Sequence, residues 1–105
     1  MRKLVHIGIP VKEKRDGMMY VPEMRIYLSD PKDSKNNIEW LYFEPDCMFP
    51  KMMQEMTHVA YEVDDIEAEL KGARILLPLG PLGDNARFAY IVEEGMPVEL
   101  IEYNK

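Results

Sequence analysis

The sequence predicts an α+β fold built from two similar halves that share one core. Three observations predict it. A strand-like segment opening each half carries a histidine followed two places on by a very small residue, in Leu4-Val5-His6-Ile7-Gly8-Ile9 and His58-Val59-Ala60-Tyr61-Glu62-Val63. A strand-like segment near the end of each half carries a glutamate in second place, in Ile38-Glu39-Trp40-Leu41-Tyr42 and Val98-Glu99-Leu100-Ile101-Glu102-Tyr103. A chain of 105 residues, 47% hydrophobic and 30% charged, supplies one modest core and not two. Any duplication is therefore of half-domains inside a single domain spanning 1–105, with module one at 1–46, a junction at 47–56 and module two at 57–105.

Taken in order, Lys3 to Ile9 alternates as a strand, with Val5, Ile7 and Ile9 on one face and Leu4, His6 and Gly8 on the other. Residues 11–22 mix charges without helical periodicity and read as a long loop. Its Lys12, Lys14 and Arg15 form a local positive patch, either simply solvated or holding an anionic ligand. Met24 to Ser29 reads as a strand, 30–37 as an exposed connection rich in turn formers, and Ile38 to Phe43 as an aromatic and β-branched strand. Pro50 suits the start of a short helix through Lys51–Glu55.

Module two opens on the strand at His58. Asp64 or Asp65 caps the helix that follows, Ile66 and Leu70 give it an apolar stripe, and Gly72 stops it. Strands are expected at Ala73–Leu79, Arg87–Val92 and Pro97–Tyr103, with 80–85 as a loop. In module one the corresponding helix is missing or reduced, its place taken by the charged loop.

Composition excludes several functions. A net charge of −6 argues against a nucleic-acid binder, which needs a phosphate-neutralising surface. No apolar run approaches the roughly 18 residues of a membrane span, and the N-terminal residues lead into a strand instead of a signal peptide's apolar segment. Cys47 is the only cysteine, so no intrachain disulfide forms and a cytoplasmic location is expected. Met48, Met52, Met53 and Met56 cluster before the second histidine as flexible core filler, a pocket wall or a subunit contact.

The two histidines and two glutamates recur in nearly the same register. The glutamates are farther apart than the histidines by about eight residues, or roughly two turns of helix, which matches the helix present only in module two. Gly8 and Ala60 leave a hollow beside the histidines, while Trp40, Tyr42, Val98 and Leu100 point away from the glutamates toward the expected core. A carboxylate lining an apolar sheet is costly unless paired or metal-bound. Two carboxylates and two neutral imidazoles match a divalent cation in both charge and ligand type. His6, Glu39, His58 and Glu99 are thus candidate metal ligands.

This quartet resembles the vicinal oxygen chelate superfamily, which includes glyoxalase I, methylmalonyl-CoA epimerase, extradiol dioxygenases and bleomycin-resistance proteins. The likeness is clearest from His58 to Asp64 and from Val98 to Glu102, and is closest to glyoxalase I-type members. It implies paired βαβββ modules whose mixed sheet curls around a metal-binding cleft, with a divalent ion (zinc, nickel, cobalt, manganese or iron) as cofactor. Such modules pair either within one chain or across a dimer, and 105 residues permit both. The expected partners are a small-molecule substrate and a second copy in a homodimer.

Four ligands on an octahedral ion leave two positions, enough to chelate neighbouring oxygens of one substrate. An oxygenase of the two-histidine-one-carboxylate kind needs more open positions, so Glu39 argues against it. The resemblance then implies a glyoxalase-type lyase or isomerase that moves a proton next to a chelated carbonyl. Glu99 is the first candidate base and Glu39 the second. The alternative is a metal-independent small-molecule binding or sequestration protein of the bleomycin-resistance type.

Overall fold

Strand periodicity builds most of the molecule. The computed structural model describes residues 1–104, and among them eight strands form one sheet. In chain order these are β1 Lys3–Pro10, β2 Met19–Val21, β3 Ile26–Leu28, β4 Ile38–Phe43, β5 His58–Glu62, β6 Arg74–Leu82, β7 Ala86–Glu93 and β8 Met96–Tyr103. Helix α1 (Lys51–Glu55) lies in the junction and α2 (Ile66–Leu70) follows β5.

The sheet order β2-β3-β4-β1-β5-β8-β7-β6 maps onto its own reverse when each strand of one module is exchanged for its counterpart in the other. Within each module the first strand runs parallel to the last, β1 with β4 and β5 with β8. The remaining pairs are antiparallel, and β1 joins β5 antiparallel to form the seam. The two modules therefore pair inside one chain, and the mixed sheet curls into a half-barrel of the expected α+β class.

The outer, convex face is covered differently in the two halves. In module two, Ile66 of α2 packs with Val63, Ala89, Ile91, Val98 and Leu100. Asp65 caps this helix by accepting a hydrogen bond from the Ala68 amide, and Glu102 accepts one from the Ile66 amide. Gly72 follows with φ of 73°, the left-handed conformation suited to a helix stop. In module one no helix stands between β1 and β2. Instead the charged loop sets Arg15 Cζ 4.2 Å over the Trp40 ring and Lys14 Nζ 4.8 Å over the Tyr27 ring, and cation–π attraction does in part what an apolar helix does in the other half.

The structure differs from the sequence expectation at both sheet edges. The loop expected at 11–22 contains β2, whose three residues pair with β3. Strand β6 continues through Gly80-Pro81-Leu82, inside the loop expected at 80–85, by way of register shifts between Ile75 and Gly80. Pro78 and Pro81 are tolerated because β6 is an edge strand, where a missing amide breaks no ladder on the open side. Trp40 and Tyr42 stay half-buried on the convex face of module one. The concave face holds a second cluster of Met53, Ala60, Ala86, Phe88, Tyr90 and Ile101, so core lies on both sides of the sheet.

Candidate metal centre

The seam positions the site. Across it His6 lies opposite Ala60, and His58 lies opposite Gly8. Within each module the small residue pairs with the glutamate, Gly8 with Glu39 and Ala60 with Glu99. Four adjacent central strands, β4-β1-β5-β8, thus bring His6, Glu39, His58 and Glu99 to the concave face. All four come together within one chain, so no second copy is needed to complete the cluster.

The small residues do more than leave a hollow. A Cβ built on Gly8 would overlap the ring of His58, so the imidazole occupies the space that a side chain would need. Gly8→Ala is expected to push His58 aside and destabilise the fold by about 1–3 kcal/mol, the usual range for overpacking. Urea unfolding checks this, and an unchanged midpoint would show that the ring has room to move.

The polar atoms are close. His6 Nε2 lies 3.3 Å from His58 Nε2, 3.3 Å from Glu39 Oε1 and 3.4 Å from Glu99 Oε1. His58 Nε2 lies 3.3 Å from Glu99 Oε1 and 3.3 Å from the Tyr90 hydroxyl. His58 is 1% exposed, and the Glu39 side chain, at 14%, is the most open of the four.

Electrostatics follow from this crowding. Burial alone would lower His6, but its hydrogen bonds and charge interactions with Glu39 and Glu99 outweigh burial and raise it to about 9. Burial alone would raise Glu99, but the two imidazoles prevail and hold it near about 2. Burial pushes the Tyr90 hydroxyl well above its ordinary value, and the charges of Glu99 and Glu39 push in the same direction. Tyr90 therefore stays protonated and can donate.

The residues fit a metal ion. The donor atoms of His6, Glu39 and His58 all lie within 4.8 Å of one another; Glu99 is not part of that mutually close group, though it contacts both imidazoles. Nitrogen and carboxylate ligands sit about 2.0–2.2 Å from such an ion, which places neighbouring donors about 3–3.5 Å apart, as between His6 and each of His58, Glu39 and Glu99 and between His58 and Glu99. This buried His-Glu-His group can hold a metal.

The cluster forms one pole of a cavity of about 350 Å³. His6, Glu39, Glu99 and Tyr90 line that pole, and most of the remaining wall is apolar, including Ile26, Leu41, Phe43, Phe49, Met53, Phe88 and Ile101. Of the methionine cluster, Met53 of α1 is both core and cavity wall, while Met48 is exposed. The basic patch lies elsewhere, since Lys14 and Arg15 sit over convex-face aromatics. Arg87 pairs with Glu102 and Glu67, and Arg25 pairs with Glu44 and Asp46. None of these basic side chains lines the cavity.

Tyr90 is the site residue that sequence reasoning missed. Its signal lay in strand pairing, because β7 and β8 place Tyr90 directly opposite Glu99.

No family model matches the chain, and no curated protein matches it. Among solved structures it is similar to a hypothetical protein from Bacillus halodurans C-125, with 21% identity, a TM-score of 0.63, and coverage of 99% of this chain and 96% of that one. It is also similar to methylmalonyl-CoA epimerase from Mycobacterium tuberculosis, with 17% identity, a TM-score of 0.60, and coverage of 97% and 88%. At such identities the likeness is one of fold, and it extends over nearly the whole of this chain.

Proposed function

We propose that the chain is a metal-dependent isomerase or lyase of the glyoxalase type, moving a proton next to a chelated carbonyl or hydroxyl of a small substrate. The observation that supports this is the convergence of two imidazoles and two carboxylates at a mostly apolar cavity, with His6, Glu39 and Glu99 in its lining and His58 buried behind them. His6, Glu39, His58 and Glu99 would hold the ion, and the epimerase of the same fold makes an isomerisation the natural reaction class.

A divalent metal in this position supplies a Lewis acid that polarises a carbonyl oxygen and stabilises the negative charge developing on it. Glu99 is the base that removes the neighbouring carbon-bound proton, and Glu39, closer to the open side, is the second candidate and can return it. The Tyr90 hydroxyl faces His58 Nε2, the atom that would hold the ion, so with metal bound it would yield that nitrogen and donate to Glu99, its other partner. The apolar side chains around the cluster lower the local dielectric, which strengthens charge interactions there.

Metal analysis of protein purified without a histidine tag tests the proposal. About one equivalent of divalent metal after reconstitution is expected; less than roughly a few tenths, with no gain on reconstitution, would sink it. One observation favours the second reading, a metal-independent binding protein. His6 already satisfies both carboxylates directly, and among the described residues no buried side-chain polar atom lacks a partner. That reading expects a small apolar ligand to raise the melting temperature in the presence of a chelator. A homodimer is also part of the proposal, and sedimentation as a single chain would remove it.

A further inference from the structure

The repeat that builds the quartet does not extend to the groups behind it, a step that rests on the proposed metal centre. In module two the pairing of β7 with β8 sets Tyr90 opposite Glu99. In module one β3 pairs with β4 so that Leu28 lies opposite Leu41, and the Ser29 amide continues that ladder by donating to the Trp40 carbonyl. The same register carries Asp30 to the place opposite Glu39. One position of the repeat thus holds a buried hydroxyl in module two and a carboxylate in module one, and both residues line the cavity.

The two counterparts have opposite chemistry. A phenolic hydroxyl donates, whereas an ionised carboxylate only accepts. Asp30 accepts from the Lys32 amide at 2.9 Å, capping the short turn at Pro31–Asp33, and presents only like charge to Glu39. Tyr90 is 5% exposed, so its proton is shared with protein atoms and not with solvent. Both imidazoles would turn their Nε2 atoms to the ion, which leaves Tyr90 as the donor that still serves Glu99. Among the described residues, His6 is the side chain that reaches Glu39, and no second donor stands behind it. We infer that Tyr90 is a positioning residue that steers Glu99 alone, so the two carboxylates of the quartet are unequal, Glu99 held in place and Glu39 loosely held. A buried carboxylate that parts from the ion to take up a proton still needs a donor, and Glu99 is the one that has it.

Zinc affinity and the zinc-induced infrared difference spectrum test this on the unmodified chain and on Tyr90→Phe, Glu39→Gln, Glu99→Gln and the Glu39→Gln/Tyr90→Phe pair. Tyr90→Phe keeps the ring and removes the hydroxyl. It is expected to weaken zinc binding about 10–100-fold, the usual cost of losing the outer partner of a ligand. In the double-mutant cycle the same factor is expected on the Glu39→Gln background, because Tyr90 acts on the other carboxylate. Glu39→Gln protein has Glu99 as its remaining carboxylate ligand, so its zinc-responsive carboxylate stretch belongs to Glu99. Tyr90→Phe should shift that band, which a mere loss of packing would not do. Comparing the two glutamine variants tests the inequality without touching Tyr90, with Glu99→Gln expected to bind zinc about tenfold or more weaker than Glu39→Gln. Four results overturn the inference and leave the metal centre standing: an affinity unchanged in Tyr90→Phe, an effect that disappears on the Glu39→Gln background, an unmoved band, or Glu39→Gln as damaging as Glu99→Gln. An unmodified chain that takes up no zinc overturns the proposed function, and this inference with it.

Discussion

Replacing His58 by alanine is expected to abolish divalent-metal binding. His58 is the most buried of the four candidate ligands, and its Nε2 lies within 3.3 Å of His6, Glu99 and Tyr90 polar atoms. No neighbouring donor can take its place, because the residue opposite it is Gly8. Losing a ligand should cost more than the roughly 10–100-fold in affinity that loss of an outer partner costs. His58→Ala also empties the space that Gly8 leaves to the ring and strips Tyr90 of a partner, so a stability loss of about 2–4 kcal/mol is expected as well. His58→Gln keeps most of the volume and a polar end, and separates the two effects. Calorimetric titration with zinc or cobalt should show no binding to either variant, and uptake by the glutamine variant would show that the quartet is misassigned.

The second large effect is on pH. In the metal-free chain the folded-state pKa of His6 is raised from 6.5 to about 9. Its contribution to stability is therefore fully present below 6.5 and is lost as the pH rises through 9. Glu99 is lowered from 4.5 to about 2, so its contribution is present above 4.5 and is lost as the pH falls through 2. His6 is raised first by Glu39 and Glu99 is lowered first by His58, with the His6–Glu99 contact common to both, so the two contributions overlap only in part and each is on the order of 3 kcal/mol. Urea midpoints of the metal-free protein should be highest between about pH 4.5 and 6.5 and fall toward pH 9. A metal ion must displace the His6 proton, so its apparent affinity should rise about tenfold per pH unit up to about pH 9. An affinity flat between pH 6 and 8 would show that His6 is not a ligand.

The convergence of His6, Glu39, His58 and Glu99 on one face was more legible than its surroundings because it follows from two simple regularities. Strand alternation fixes which side chains share a face, and repetition in the two modules removed the ambiguity that one strand histidine or one strand glutamate carries alone. Tyr90 escaped because an aromatic residue in an apolar strand looks like core. Its place beside His58 depends on the pairing of β7 with β8, a non-local register that local pattern does not encode. Lys12, Lys14 and Arg15 were visible as a patch, but whether a loop folds over the concave or the convex face is decided by what it can cover, here the Tyr27 and Trp40 rings. The edge strands were misjudged for a related reason. Three residues of β2 are too few to show a period, and the prolines of β6 mimic a loop unless the strand is known to be outermost.

The position of the four strands in the sheet has a consequence for the order in which the molecule opens. The site draws on β4, β1, β5 and β8, the middle four of eight, and leaves β2 and β6 at the rims. Rim strands can detach in local fluctuations while the central ladders stay intact. Parting any two of the side chains at the pole requires splitting the middle of the sheet, where each strand is held on both sides. The pole is therefore as durable as the whole fold, while other parts of the lining, Leu82 of edge strand β6 and the connection before β4, belong to parts that can loosen first. The architecture pairs a rigid floor with a yielding rim, so the rim can open without parting the four side chains of the floor.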